Sequence, residues 1–314
     1  SAWRFACRTL TSSLYVWLFN DSLSCSMSCR QHPNAKHFSL SGCFTGSNPH
    51  HKAAALPQRK FTMKVLLTTL SAFSLCLVLN SPAIPAEDAP IRILLVTGGC
   101  CHDYDFQTKA MQKALKDQGI AAEWKVVNEG GKGTSAEIPF YENPEWAYGY
   151  DVVVHNECFA NTSDPAYIRK ITGPHKAGVN AVVIHCAMHT YRSANVDDWR
   201  EFLGVTSKRH DHQANYPVKV VAKDHPIMKG FPNDYKSAKD ELYIIEKVWP
   251  NTEILATSIS QKNQSLNPVF WTNRYGKARV FGTTYGHSVA TFEDAVFLKT
   301  LALGIKWATE NKKK

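Results

Sequence analysis

The G-x-G-x-x-G spacing is absent from this sequence, and so are internal repeats and any low-complexity tract beyond the terminal Lys312–Lys314. The first absence argues against a dinucleotide-binding loop and hence against NAD. The apolar stretch Val65–Leu79 covers only 15 residues, short of the ~20 needed for a comfortable membrane span. Acidic residues are scarce at the start: residues 1–62 hold a single acid, Asp21, against seven Lys/Arg. The chain as a whole has 36 Lys+Arg and 27 Asp+Glu, a net charge of +9. Residues 87–314 account for only +2 of that charge. They carry no basic stripe, so a nucleic-acid partner is not expected. A composition of 44% hydrophobic and 20% charged residues excludes a disordered or collagen-like protein.

Segment 1–62 also lacks a sustained period of 3.6 or 2. Its Cys25-Ser-Met-Ser-Cys29, followed by His32 and His37, has no second cysteine pair to complete a structural zinc site. The expectation is a mis-extended or unfolded leader. Met63-Lys64, the apolar stretch and Asn80–Ala86 with its small and helix-breaking residues then form the three parts of a secretory signal peptide, 63–86. Export to the periplasm or outside the cell is expected, with membrane contact only through this segment. The mature domain would be 87–314.

That domain alternates strands and helices. Pro90–Thr97 and Asp151–Val154 are β-branched apolar runs, as strands buried on both faces require, and Asn180–Ile184 is another. Asp103 or Asp105 can cap a helix with an apolar stripe of Phe106, Ala110, Met111, Ala114 and Leu115, and Asp164-Pro165 opens a second helix. Tyr216–Ala222, Pro268–Thr272 and Lys277–Thr283 read as further strands and Asp294–Ala308 as a closing amphipathic helix. The pattern implies a mainly parallel sheet covered on both faces.

In such a sheet, ligands bind beyond the carboxyl ends of the strands. The polar residues there are Gly98, Gly99, His102 and Asp103 after the first strand, and His155, Asn156 and Glu157 after the third. His185, Cys186, His189 and Tyr191 follow the fourth, and His287 the last. Histidines at four strand ends point to one polar site. The glycines there would bring backbone N–H groups to a polar ligand. His185 and His189 would share a face of a helix, and His210 and His212 a face of an extended segment. With His102 and Glu157 they offer ligands for a zinc-like divalent metal. His102, His185 and His189 are the preferred metal set; without metal the histidines would serve as acid–base groups. Cys186 is the one candidate nucleophile, with His287 as its base, and a Cys101–Cys158 disulfide would be conceivable in an oxidising compartment. Asp240-Glu241 is either a solvated helix or strand start or a source of a carboxylate at the site rim. Trp146, Tyr191 and Trp199 are candidate sugar-stacking platforms.

Several stretches carry a resemblance: Ile93–Asp103, Asp151–Glu157, Ala177–His185, Asp224–Pro232, Asp240–Tyr243, Pro268–Trp271, Gly276–His287 and Gly304–Ala308. In this order they resemble the ThuA-like, or trehalose utilisation, proteins of the class I glutamine amidotransferase-like superfamily. The resemblance implies a flavodoxin-like, three-layer α/β sandwich. It also implies a small-molecule carbohydrate substrate, a disaccharide or its 3-keto derivative, without fixing the reaction; a hydrolase- or isomerase-like enzyme is the expectation. In glutamine amidotransferases the elbow after the fourth strand carries a catalytic cysteine. Here His185 takes that register and Cys186 stands one later, which argues against glutaminase chemistry. A thiol-dependent amidohydrolase using Cys186 and His287, a non-catalytic sugar-binding module, and a homo-oligomer are the other expectations.

Overall fold

The computed structural model describes residues 89–310. The expected leader 1–62 with its Cys/His group and the expected signal peptide 63–86 lie outside the described residues. The first strand β1 (Ile91–Gly99) is followed by α1 (Tyr104–Asp117), β2 (Ala122–Asn128), β3 (Val152–Cys158), α2 (Pro165–Ala177) and β4 (Asn180–Ile184). Then come α3 (Asp198–Leu203), β5 (Val205–Ala214), β6 (Lys219–Val220), β7 (Asp240–Val248), β8 (Thr252–Ile259), β9 (Leu266–Tyr275), β10 (Ala278–Thr283) and α4 (Ala295–Thr309). The main sheet has eight strands in the order β2-β1-β3-β4-β10-β9-β8-β6. It is parallel from β2 to β10 and antiparallel from β10 to β6. The pair β5–β7 forms a separate antiparallel ribbon interrupted by bulges.

The apolar runs create the layers because successive side chains leave a strand on opposite faces. Ile93 and Leu95 of β1 pack with Met111 and Leu115 of α1 and Phe297, Leu301 and Ile305 of α4. Leu94 and Val96 face the other way, onto Ile168 and Ile171 of α2 and Trp199 and Phe202 of α3. The result is the expected flavodoxin-like three-layer sandwich with a mostly parallel central sheet. Asp103 caps α1 through Oδ1, which accepts from the Phe106 N–H, and Asp164 and Asp294 cap α2 and α4 in the same way.

The second half departs from the sequence reading in detail. The strand expected over Tyr216–Ala222 shrinks to the two residues of β6. Tyr216 and Val218 are instead anchors in the core, and Pro217 makes only an isolated bridge to Lys236. The strands β5, β7 and β8 were not foreseen from the pattern.

Candidate functional site

The strand ends meet the loops at β1, β4 and β10, and the histidines there converge. His185 begins a single 3₁₀ turn, His185–Met188, directly after β4 and has a left-handed φ of 45°. Such a backbone is uncommon for a non-glycine residue and is held only where its surroundings impose it. Its Nδ1 lies 2.7 Å from the Thr284 carbonyl. A carbonyl can only accept, so Nδ1 carries the proton and the Nε2 lone pair faces the site. His102 repeats the device: its Nδ1 donates to the His287 carbonyl at 3.3 Å, leaving Nε2 buried and without a partner. The Nδ1 of His287 is likewise buried and unpartnered by hydrogen bonds. The ring centroids of His102 lie 5.1 Å from His185 and 5.0 Å from His287, and those of His185 and His287 are 5.5 Å apart. One ring nitrogen from each falls within 4.8 Å of the others.

The carboxylate of Glu241 joins this group from β7. Its Oε2 is 3.4 Å from His287 Nδ1, 3.7 Å from His185 Nε2 and 3.6 Å from His210 Nδ1. Two residues further along the same face of β7, the Tyr243 hydroxyl donates to His185 Nε2 at 3.3 Å. Burial holds the Tyr243 phenol well above its ordinary range, so it stays a donor. Burial, with a smaller electrostatic contribution from the neighbouring His287 ring, pushes His102 down to about 4. Burial also drives His185 well below its ordinary value. Both rings are therefore neutral at pH 7, the form that ligates metals.

Asp240 fixes the His287 loop from below. It is fully buried and accepts from the backbone N–H groups of Gly286 (3.0 Å), His287 (3.2 Å) and Glu241 (2.6 Å) and from the Thr291 hydroxyl. Burial raises its carboxyl to about 6 against the pull of these donors. Asn156 reaches the same loop indirectly: it donates to Gln107, which donates to the Gly286 carbonyl.

Several expected site residues are placed elsewhere. His155 and Glu157 point to the α2/α3 layer, because their shared strand face leads there. The Nδ1 of His175 donates to the Val179 carbonyl, so its Nε2 accepts from His155 Nε2 at 3.0 Å. His155 Nδ1 and Glu157 Oε1, 2.9 Å apart, must then share one proton. This fully buried relay is separate from the His102–His185–His287 group. His189 is also outside it: Nε2 meets Ser207 Oγ at 3.1 Å, and the ring stacks on Tyr243 at 3.8 Å. The reason is the turn. A 3₁₀ turn has three residues per revolution, so positions i and i+4 diverge where an α-helix would align them. Cys186 is bonded to Cys158, and Cys100 to Cys101. The pairing is thus not Cys101–Cys158, and Cys186 has no free thiol to act as nucleophile. Trp146, Tyr191 and Trp199 are buried to 2% exposure or less and present no face to a sugar.

Gly98, Gly99, His102 and Asp103 line an open cleft of about 490 Å³, together with Cys101, Asp105, Asn128 and Lys132. Gly99 is required there. Its φ is +95°, and a Cβ would lie 2.3 Å from the Cys158 carbonyl oxygen. Sequence reasoning missed the roles of Tyr243, Thr284 and Thr291. The spacing Glu241-x-Tyr243 was the available signal, since alternate residues of a strand share a face.

A family model described as ThuA, trehalose utilisation, matches residues 92–308. The structure is similar to a ThuA-like protein from Parabacteroides merdae, with a TM-score of 0.55 and 25% identity over 71% of this chain and 91% of that one. It is also similar in fold to a ThuA-like protein from Bacteroides uniformis, with a TM-score of 0.52 and 17% identity over 71% of this chain and 94% of that one. Among proteins of curated function, none matches the sequence.

Proposed function

Because the chain belongs to the ThuA, or trehalose utilisation, family, we propose that it is a carbohydrate-active enzyme working on a disaccharide or 3-keto-glycoside, with His102, His185 and His287 holding a divalent metal ion. The observation that carries this reading is the pair of buried, unpartnered nitrogens, His102 Nε2 and His287 Nδ1, grouped with His185 beside one carboxylate. Leaving a buried polar atom without a partner costs ~1–3 kcal/mol. A cation satisfies both nitrogens at once, and three imidazoles suit zinc or a similar ion. When bound, such an ion supplies Lewis-acid polarisation of a sugar oxygen.

The chain's own residues do the rest. The carbonyls of Thr284 and His287 fix the tautomers of His185 and His102, so that their unprotonated nitrogens face the centre, His185 Nε2 exchanging the Tyr243 hydroxyl for the metal. Glu241 is the carboxylate positioned to take a proton from a sugar hydroxyl or a water molecule and return it later. His210, 43% exposed in its side chain and 3.6 Å from Glu241, offers that proton a route to solvent. Tyr243 is a fixed donor toward the same centre. The cleft beside His102 falls within the ~300–1,000 Å³ of ordinary ligand pockets, and its Asp103, Asn128 and Lys132 can exchange hydrogen bonds with sugar hydroxyls. Export through segment 63–86 belongs to the same proposal and is supported by the layout of that segment alone. The disulfide at Cys186 gives no support to a thiol-dependent amidohydrolase.

The test pairs metal analysis with turnover of trehalose and 3-keto-disaccharides. Wild-type protein is expected to retain one equivalent of a divalent ion and to lose it in His102→Ala and His287→Ala. His185→Ala is expected to abolish turnover while circular dichroism remains native. Full activity in that variant, or activity indifferent to both chelator and His287→Ala, would refute the assignment.

A further inference from the structure

Four cysteines gather beside the histidine site, and their exposures differ in an ordered way. Cys101 is exposed and opens on the cleft, Cys100 is half-buried, and Cys158 and Cys186 are buried. The four are joined as an outer pair, Cys100–Cys101, and an inner pair, Cys158–Cys186. Across the two pairs, Cys100 Sγ lies 3.6 Å from Cys158 Sγ, which is van der Waals contact between sulfurs. The Sγ atoms of Cys100, Cys101 and Cys158 are all within 4.8 Å of one another. A structural role would be served by the inner disulfide alone, which ties the end of β3 to the turn after β4. It gives no reason for a second, exposed pair in contact with the first.

We infer that the outer pair is a port through which a dithiol reductant in the cleft passes two electrons to the inner disulfide. The exchange balances at each step. One thiolate of the reductant attacks Cys101 Sγ and displaces the Cys100 thiolate. The second thiol of the reductant then attacks the mixed disulfide, leaving as the cyclic or intramolecular disulfide and freeing Cys101. The Cys100 thiolate attacks Cys158 Sγ at its contact distance, forming a Cys100–Cys158 bond and displacing the Cys186 thiolate. Cys101 resolves that bond, which restores Cys100–Cys101 and leaves Cys158 and Cys186 as thiols. Two protons from the reductant end on Cys158 and Cys186, and the reductant is oxidised by two electrons. Exchange of this kind depends on access to the sulfur attacked, and here only the outer pair is accessible. The inner reduction unties Cys186 from β3, and Cys186 adjoins His185.

Dithiothreitol serves as the probe. Native protein is treated with it, quenched in acid, alkylated and mapped by mass spectrometry, with circular dichroism confirming that each variant is folded. In wild type, alkylation of Cys158 and Cys186 is expected to accumulate. In Cys100→Ser the inner disulfide loses the sulfur in contact with it, leaving only the Cys101 thiol further off, and its reduction should slow on the order of tenfold or more. Cys101→Ser is the sharper variant: Cys100 can attack but nothing resolves the product, so a Cys100–Cys158 disulfide with a free Cys186 should be trapped. Equal reduction rates in wild type and Cys100→Ser would overturn the inference. So would Cys101→Ser protein that keeps Cys158–Cys186 with Cys100 free, or wild-type protein isolated with four thiolates bound to a metal. None of these readouts depends on sugar turnover, so the proposed carbohydrate activity stands or falls separately.

Discussion

Acidification from pH 7 to 5 should cost this fold several kilocalories, and the histidines decide the sign. His102 is pushed down to about 4 and His189 to about 3, in both cases chiefly by burial. In the unfolded chain each returns to about 6.5. A depressed imidazole contributes stability that is present above pH ~6.5 and is lost as pH falls toward its folded value, because the unfolded state takes up the proton first. Over pH 7 to 5 each of these two residues removes about 2 kcal/mol. His175 and His185, both lowered by full burial, act in the same direction. Asp240 opposes them. Its carboxyl is raised to about 6, so the folded state takes up a proton over this range while the unfolded one does not, a gain of about 1 kcal/mol. The histidines win, and the net loss is about 3 kcal/mol or more. Urea denaturation at the two pH values measures it, with EDTA present so that metal binding adds no proton linkage of its own. His189→Phe keeps the stacking on Tyr243 and should reduce the loss by about 2 kcal/mol. A wild-type difference under ~1 kcal/mol, or a variant with an unchanged slope, would refute the reasoning.

Other substitutions probe the scaffold. Gly99→Ala places a Cβ against the Cys158 carbonyl in a left-handed backbone and should cost about 3 kcal/mol or more, read as a lowered melting temperature. Asp240→Asn replaces an acceptor-only group with one that presents N–H groups to donors. It should loosen the Gly286–His287 loop and weaken metal binding on the order of 10–100-fold in a calorimetric titration. An unchanged affinity would show that Asp240 does not position His287. Tyr243→Phe removes the hydroxyl that competes with a metal for the one lone pair of His185 Nε2, so metal content should not fall, while turnover should drop with the loss of that donor.

The first half of the fold was legible because its strands are buried on both faces. Ile93–Val96 and Val152–Val154 need no alternation to be recognised, and Asp103 and Asp164 mark helix starts by side-chain chemistry that the structure repeats. The ribbon β5–β7 was illegible for the opposite reason. Its register shifts three times, and Lys208, Arg209, His210 and His212 interrupt any period of two. The site shows the same division. Histidines at strand ends signalled where to look, and His102, His185 and His287 do converge. What the sequence pattern could not supply was the pitch of one short turn, which takes His189 away from the cluster. Nor could it supply the path of the bulged ribbon, which brings Glu241 in. The direction of the β3 side chains, which commits His155 and Glu157 to a closed relay with His175, was equally beyond it.

The two outermost strands of the main sheet have a consequence for assembly. On one side the sheet stops at β6, only two residues long; on the other it stops at β2, where Glu123 and Lys125 are exposed. Neither margin offers the long, uncharged row of free backbone groups on which another sheet could grow. Among the described residues, the margins of the main sheet therefore offer no template for open-ended strand addition, which leaves the helical layers or the β5–β7 ribbon for self-association. At high concentration, the way those two margins are finished works against fibrous growth from the main sheet.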